Sequence, residues 1–186
     1  MGYALELPLD PRAAAEVVEL RRILETAGVP TLTASIGEIP HVSLGVFDDD
    51  VDPLALERLL HALAEEATPL ALRFGGVGMF VEPQPVIYLE PDQSGSLQAL
   101  HERFFSLLGA TTTSLSAHYR PEHWQPHCTI AMEFEPDLLD EAGEVVRRRF
   151  SRVDALCSSL QLVRFRPVEV LEHRTFRGSR LPRQRG

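Results

Sequence analysis

Lysine is missing from this chain: all 18 basic residues among its 186 are arginine. ATP-dependent nucleic-acid ligases need a lysine amine to carry the nucleotide, and arginine stays protonated and cannot substitute. Lysine Schiff-base chemistry and any P-loop are excluded on the same ground. Cysteine is scarce. Cys128 and Cys157 build neither a disulfide framework nor a zinc cage. No run approaches the roughly 18 apolar residues of a membrane span, so no membrane partner is expected. The stretch MGYALELPLD has no basic leader and no long apolar core, so it is no signal peptide, and a cytoplasmic protein with reduced thiols is predicted. Positive charge is also in short supply. A net charge of −9 argues against gripping long nucleic acid through its phosphates. The exception is the end of the chain, where residues 164–186 hold seven arginines against Glu169 and Glu172. The tail RGSRLPRQRG reads as a frayed, solvated terminus.

What is present suffices for one good core or two small lobes sharing one, at 44% hydrophobic and 24% charged residues. YALELPL opens as a strand. A helix follows, with Asp10 as cap, Pro11 in its first turn, Gly28 at its end, and Val17, Leu20, Ile23, Leu24 and Ala27 on one face. IPHVSLGVF is a strand, DPLALERLLHALAEEA a helix capped by Asp52, and PLALRFGGVGMF a strand softened by glycine. The order then repeats. PVIYLEP is a strand, SGSLQALHERFFSLLG a helix capped by Ser94 or Ser96, PHCTIAMEF a strand, EPDLLDEAGEVVRRRF a helix and SSLQLVRF a strand, with VEVLEHRTF closing the fold. The pattern β-α-β-α-β thus occurs twice and predicts an α/β or α+β arrangement of two similar lobes. Residues 109–114, GATTTS, read as a mobile loop or lid.

Two short stretches within this pattern match: PHVSLGV at Pro40–Val46 and PHCTIAM at Pro126–Met132. Strand alternation puts His41, Ser43, Gly45 and Phe47 on one face, and likewise His127, Thr129, Ala131 and Glu133, with the apolar residues opposite. Facing lobes would form a cleft with two imidazoles and two hydroxyls. Such a set suits phosphodiester chemistry near neutral pH: one histidine takes a proton from the nucleophile and the other gives one to the leaving oxygen. Each contributes about 10²–10⁴-fold. Ser43 and Thr129 can donate to non-bridging phosphate oxygens, and neither a metal nor another cofactor is required. Chance alone predicts about one His-x-[Ser/Thr] among seven histidines, since serine and threonine make up about a ninth of the chain. Three occur. Context separates the third, HRTF at His173–Phe176, which has Arg174 inside it and no helix after it; it reads as structural or outer-shell.

With HVSL and HCTI in these places, the sequence resembles the 2H phosphoesterase superfamily, the 2′-5′ RNA ligase-like and cyclic phosphodiesterase proteins. The resemblance covers most of the chain, FGGVGMF and PVIYLE included. It implies one bilobal α+β domain over 1–186, with motifs around 40–47 and 126–133 and a flexible basic tail at about 177–186. Two pseudo-symmetric lobes would have antiparallel sheets forming a V-shaped groove and helices outside. His41, Ser43, His127 and Thr129 become the expected catalytic set. The implied reactions are metal-independent opening of 2′,3′- or 1″,2″-cyclic phosphates or cleavage of 2′-5′ linkages, and in some members reversible, ATP-independent joining of RNA ends. The expected partner is a small cyclic nucleotide or RNA end, and the expected state a monomer. Two departures stand out. Serine replaces the commoner threonine in the first motif, and Met132 and Glu133 stand where relatives often carry arginine. Glu133 on the groove face would repel phosphate unless Arg73, Arg120, Arg164 or Arg166 compensates.

Phe47, Trp124 and Arg120 are the candidate substrate-binding residues: Phe47 to stack on a base, and the only tryptophan as a groove wall. Tyr88 and Phe80 are expected in the core. His118, His123 and His127 beside Cys128 raise a zinc reading, but Pro121 and Pro126 break any helix that would align them. A different class stays open: a catalytically idle member that binds a nucleotide or a partner protein in the same groove.

Overall fold

A computed structural model describes residues 2–29, 31–109, 114–165 and 167–179. Two four-stranded antiparallel sheets divide the strands β1 (Gly2–Pro8), β2 (His41–Asp48), β3 (Leu70–Phe80), β4 (Val86–Pro91), β5 (Cys128–Met132), β6 (Val153–Cys157), β7 (Ser159–Phe165) and β8 (Glu169–Thr175). One has the order β2-β1-β7-β8 and the other β5-β4-β3-β6. The helices are α1 (Pro11–Thr26), the single turn α2 (Leu32–Ser35), α3 (Pro53–Glu66), α4 (Gly95–Leu108) and α5 (Leu139–Arg149). The fold is α+β, one of the two classes the pattern leaves open and the one the resemblance implies. The partition of strands is not the sequential one. The strand after α3 joins the second motif's sheet, and β7 returns to the first motif's sheet. Between β6 and β7 a single residue, Ser158, carries the chain from one sheet to the other.

Local signals place most ends. The Asp10 carboxylate accepts the N–H groups of Arg12 and Ala13 at 3.1 and 3.3 Å, Asp52 that of Leu54 at 3.0 Å, and Ser94 that of Leu97 at 3.4 Å. The face that α1 buries differs from expectation. Ala13, Val17, Leu20, Arg21 and Leu24 are buried, whereas Ile23 is half-buried and Ala27 exposed. The stripe therefore carries a cation. The helix read from Glu135 starts as a 3-10 turn (Pro136–Leu138) before α5, and β6 is a short strand within residues that the sequence pattern leaves unassigned. One continuous apolar core runs through both halves, from Leu5 and Val17 to Ile130 and Leu160. The stretch 110–113, most of the expected lid, and the tail from 180 onward lie outside the described residues; Arg177–Ser179 form a 3-10 turn.

Both motif strands are sheet edges, and both carry a bulge at the same place. Against β1, Leu5 pairs with Gly45 and Glu6 with Ser43, which leaves Leu44 over. Against β4, Ile87 pairs with Ala131 and Tyr88 with Thr129, which leaves Ile130 over. A bulge puts two residues opposite one and reverses the alternation beyond it. Histidine and hydroxyl keep one face, and the next cleft-facing positions move to Val46 and Met132. Gly45 turns inward, where a Cβ would come within 2.5 Å of the Phe104 ring. Phe47 is therefore corrected from groove to core. It is 1% exposed and meets Phe104 edge-on at 6.3 Å. Ala131 is buried, and Glu133, at φ 58°, does not line the cleft, so the expected carboxylate beside the phosphate is not there.

Candidate active site

A cleft of about 470 Å³ lies between the two edge strands. His41, Ser43, His127 and Thr129 all line it, the two histidines coming from positions 86 residues apart. Each imidazole is held the same way. The His41 Nδ1–H donates to the Ile39 carbonyl at 2.7 Å, and the His127 Nδ1–H to the Gln125 carbonyl at 2.8 Å. In both cases the acceptor is the residue before a proline, whose fixed φ holds that carbonyl beneath the ring. This geometry is the physical content of the repeated Pro-His. It fixes one tautomer and leaves Nε2 for the cleft.

The two rings then differ. His127 sits among aromatics, with Phe80 edge-on at 5.2 Å and Tyr88 tilted at 5.2 Å. Burial, only partly opposed by the Gln125 carbonyl, pushes its pKa below the ordinary imidazole value, and His41 pushes the same way. His41 instead has the Glu6 carboxylate 3.3 Å from Nε2, with side chains only 10% and 7% exposed. Phe80, expected in the core, lines the cleft and stacks on Tyr88 at 4.3 Å. Tyr88 is buried, as expected, and its hydroxyl accepts the Gln125 amide N–H at 2.8 Å.

Trp124 lines the cleft. One face lies on His101 at 3.7 Å, nearly parallel, and its indole N–H donates to the Ser43 carbonyl at 3.1 Å. His101 is fully buried, donates from Nε2 to the Tyr119 carbonyl at 3.1 Å, and is held by burial at a pKa of about 4, a neutral platform. Arg120, by contrast, is exposed and outside the cleft lining; its backbone carbonyl closes the turn that presents His123 and Trp124. His173 is exposed on β8, outside the cleft lining and paired across the ladder with Gln161. Of the other arginines weighed, Arg73 pairs with Asp154 and Arg164 with Glu169, while Arg166 lies outside the described residues. Among the described residues, no guanidinium lines the cleft, whereas Glu6, Glu38 and Glu82 do.

Several site residues escape sequence reasoning. Arg21, buried in α1, donates to the Glu38 carbonyl at 2.6 Å, to the Glu38 carboxylate at 3.3 Å and to the Thr129 carbonyl at 2.8 Å. Thr33 donates to the next carbonyl, that of Ile130, at 2.8 Å. Elements preceding the first motif thus hold the backbone of the second, and Trp124, preceding the second, holds the first. Tyr119 shares a hydrogen bond with the Ser43 side chain, and burial pushes its phenol up to about 12. A cation in the apolar stripe of α1 and a carboxylate inside ALELPL were the available signals; Tyr119 had none. Cys128 and Cys157 are buried, and burial pushes both thiols up to about 12. Among the described residues, no three His, Cys, Asp or Glu side chains converge as metal ligands, and His118 and His123 reach the cleft mouth separately from Cys128. No helix of the described residues is long and apolar enough to cross a membrane. A second, shallow depression of about 710 Å³ lies elsewhere, where Arg12 and Arg73 are both engaged by Asp154.

No curated protein matches this sequence. Among solved structures, the chain is similar to TT0787 of Thermus thermophilus, at 21% identity and TM-score 0.67, covering 97% of this chain and 100% of that one. It is also similar to E. coli LigT complexed with NADP+, at 16% identity and TM-score 0.61, covering 94% and 96%. Usb1 of Kluyveromyces marxianus gives 14% identity and TM-score 0.55, covering 91% and 96%. At such identities these likenesses establish the shared fold. The family model of the 2′-5′ RNA ligase superfamily matches residues 9–169, which span both motifs and all strands but the first and last in the chain, and the chain belongs to that superfamily of 2H phosphoesterases.

Proposed function

We propose that this protein is a metal-independent phosphodiesterase that hydrolyses cyclic phosphates, 2′,3′ or 1″,2″, or 2′-5′-linked nucleotides by two-histidine acid–base catalysis. The carrying observation is the matched pair of imidazoles, each locked through Nδ1 onto the carbonyl two residues back, with both rings lining one cleft. In hydrolysis one Nε2 takes a proton from the attacking water as the new P–O bond forms. The other Nε2–H protonates the ribose oxygen as its bond to phosphorus breaks. Ser43 and Thr129 donate to the non-bridging oxygens. With a 5′-hydroxyl in place of water, the same two imidazoles would open a 2′,3′-cyclic phosphate onto that oxygen, protonate the released ribose oxygen and so join ends without ATP.

The cleft favours a small substrate. A volume of about 470 Å³ accepts a nucleotide rather than a duplex, and the Trp124 indole offers a stacking wall. Its described lining has carboxylates and imidazoles in place of arginine, which disfavours a long polyanion. E. coli LigT has been crystallised with 3′-AMP, a mononucleotide, and with the dinucleotide NADP+. We further take the protein to act as a cytoplasmic monomer without a cofactor.

The test is product release from 2′,3′-cyclic AMP and a 2′-5′ diadenylate in EDTA across pH 5 to 9, beside His41→Ala and His127→Ala. A bell-shaped profile is expected, with about 10²–10⁴-fold loss in each variant. The acidic limb should fall below the ordinary imidazole value, because burial lowers His127. Tight nucleotide binding without turnover would replace this reading with that of a binding module.

A further inference from the structure

Glu6 is the least expected residue in the cleft. It interrupts the apolar strand β1, is 5% exposed, and its Oε2 accepts the side-chain N–H of Gln161, itself 4% exposed, at 2.7 Å. Its other oxygen stands 3.3 Å from His41 Nε2. Among the described residues, no carboxylate pairs with the second motif's ring in this way: His127 meets Phe80 and Tyr88, and Glu38 acts on it without forming an ion pair. Two near-identical motifs have therefore been given opposite surroundings, one a buried acceptor and the other aromatic rings.

We infer that Glu6, oriented by Gln161, is a positioning residue that keeps a proton on His41 Nε2 and so makes His41 the acid and His127 the base in the hydrolytic direction. The inference rests on the functional reading above. With Nδ1–H committed to the Ile39 carbonyl, the Nε2 proton, which Glu6 Oε1 faces at 3.3 Å, is the one available to the leaving oxygen. During turnover His127 Nε2 gains the proton of the attacking water, and His41 Nε2 loses its proton to the departing ribose oxygen. The Glu6 carboxylate is left beside a neutral ring. Exchange with solvent returns one proton from His127 and restores one to the Glu6–His41 pair, so the cycle closes with no net proton change on the protein.

Other charged and titratable groups face this pair. Glu38 approaches from the segment before β2, already held by Arg21; His127 lies across the cleft on the approach to β5; Tyr119, His118 and His123 come from the segment before it. Of these, only Glu6 has a carboxylate oxygen within 4 Å of the His41 ring among the described residues. Burial raises the Glu6 pKa, and His41 and the Gln161 hydrogen bond oppose that rise.

The experiment is Glu6→Gln, which preserves size and the Gln161 contact, read in two ways. In the pH profile of kcat/KM the alkaline limb, which reports the acid, should move down by about one to three units. Activity at pH 8 then falls at least about tenfold, while at pH 5 it stays within about threefold of the parent. By NMR, the His41 ring titration midpoint should fall by at least about one unit, and that of exposed His61 on α3 should not move. A uniform loss across all pH values, or an unmoved His41 midpoint, overturns the inference. If the parent turns over no substrate, the functional reading fails, and the NMR midpoints still decide whether Glu6 holds the proton. Should Glu6→Gln not fold, Gln161→Leu frees the carboxylate and should shift both readouts in the same direction by less; no shift there overturns the inference equally.

Discussion

Replacing Arg21 by methionine should destabilise the fold and spoil the site together, because one guanidinium ties the first motif's approach to the second motif's backbone. Arg21 is 3% exposed and makes three hydrogen bonds, at 2.6, 3.3 and 2.8 Å, to the Glu38 carbonyl, the Glu38 carboxylate and the Thr129 carbonyl. Removing one partner of a buried ion pair costs about 3–5 kcal/mol, chiefly because the other charge stays buried. The Glu38 side chain keeps 17% exposure, which moves the expectation to the lower end, about 3 kcal/mol. For a chain of this size that corresponds to a Tm lower by about 6–12 °C. The second perturbation sharpens the argument. Arg21→Met with Glu38→Gln leaves no orphan charge, although the Glu38 and Thr129 carbonyls still lack their guanidinium donor. The double variant should therefore recover about 1–2 kcal/mol over Arg21→Met alone. Thermal and urea melts of the four proteins close the cycle. Kinetics of the double variant should still show reduced kcat, since the Thr129 carbonyl lacks its donor and β5 loosens. A single variant within about 1 kcal/mol of the parent, or strictly additive changes, would refute the view that a buried charge pair joins the motifs.

Two further outcomes follow from the placement of named side chains. Phe47→Ala should cost about 3–5 kcal/mol through the cavity left beside Phe104, yet leave KM unchanged wherever the variant is folded. A raised KM at full stability would return Phe47 to the cleft. Asp10→Ala should cost about 2 kcal/mol at pH 7, since the carboxylate caps α1 and also accepts the Leu156 N–H at 2.7 Å. Burial pushes this carboxyl up, but the N–H groups of Leu156, Ala13 and Arg12 more than offset it, so its folded pKa lies below the ordinary value. Its contribution is then present above about pH 4 and lost as pH falls through the lower folded value, so parent and variant melts should converge in acid. A gap that stays constant to about pH 2 would show that the cap's charge is irrelevant.

Much of this protein was legible along the chain. Pro-His at the head of two apolar strands marked the imidazoles, because proline's fixed φ and the carbonyl before it act within three residues. Asp10, Asp52 and the Ser94/Ser96 pair marked helix starts for the same short-range reason, and the alternation of strand and helix narrowed the class to α/β or α+β, between which the resemblance carried by the paired motifs chose. Beyond that range the reading broke down at identifiable points. Strict alternation put Phe47 and Glu133 in the cleft, and a bulge in each motif strand, set by pairing with β1 or β4, moved Val46 and Met132 there instead. The exchange of β3 and β7 between sheets leaves no local trace, since a strand's own periodicity is the same in either sheet. Arg21 and Glu6 were visible only as polar residues in apolar patterns. Which partner stabilises each, Glu38 and Thr129 for one and His41 and Gln161 for the other, is a matter of long-range contact. That choice belongs to the folded arrangement, because a charge buried away from water takes its properties from whatever the fold brings within a few ångströms.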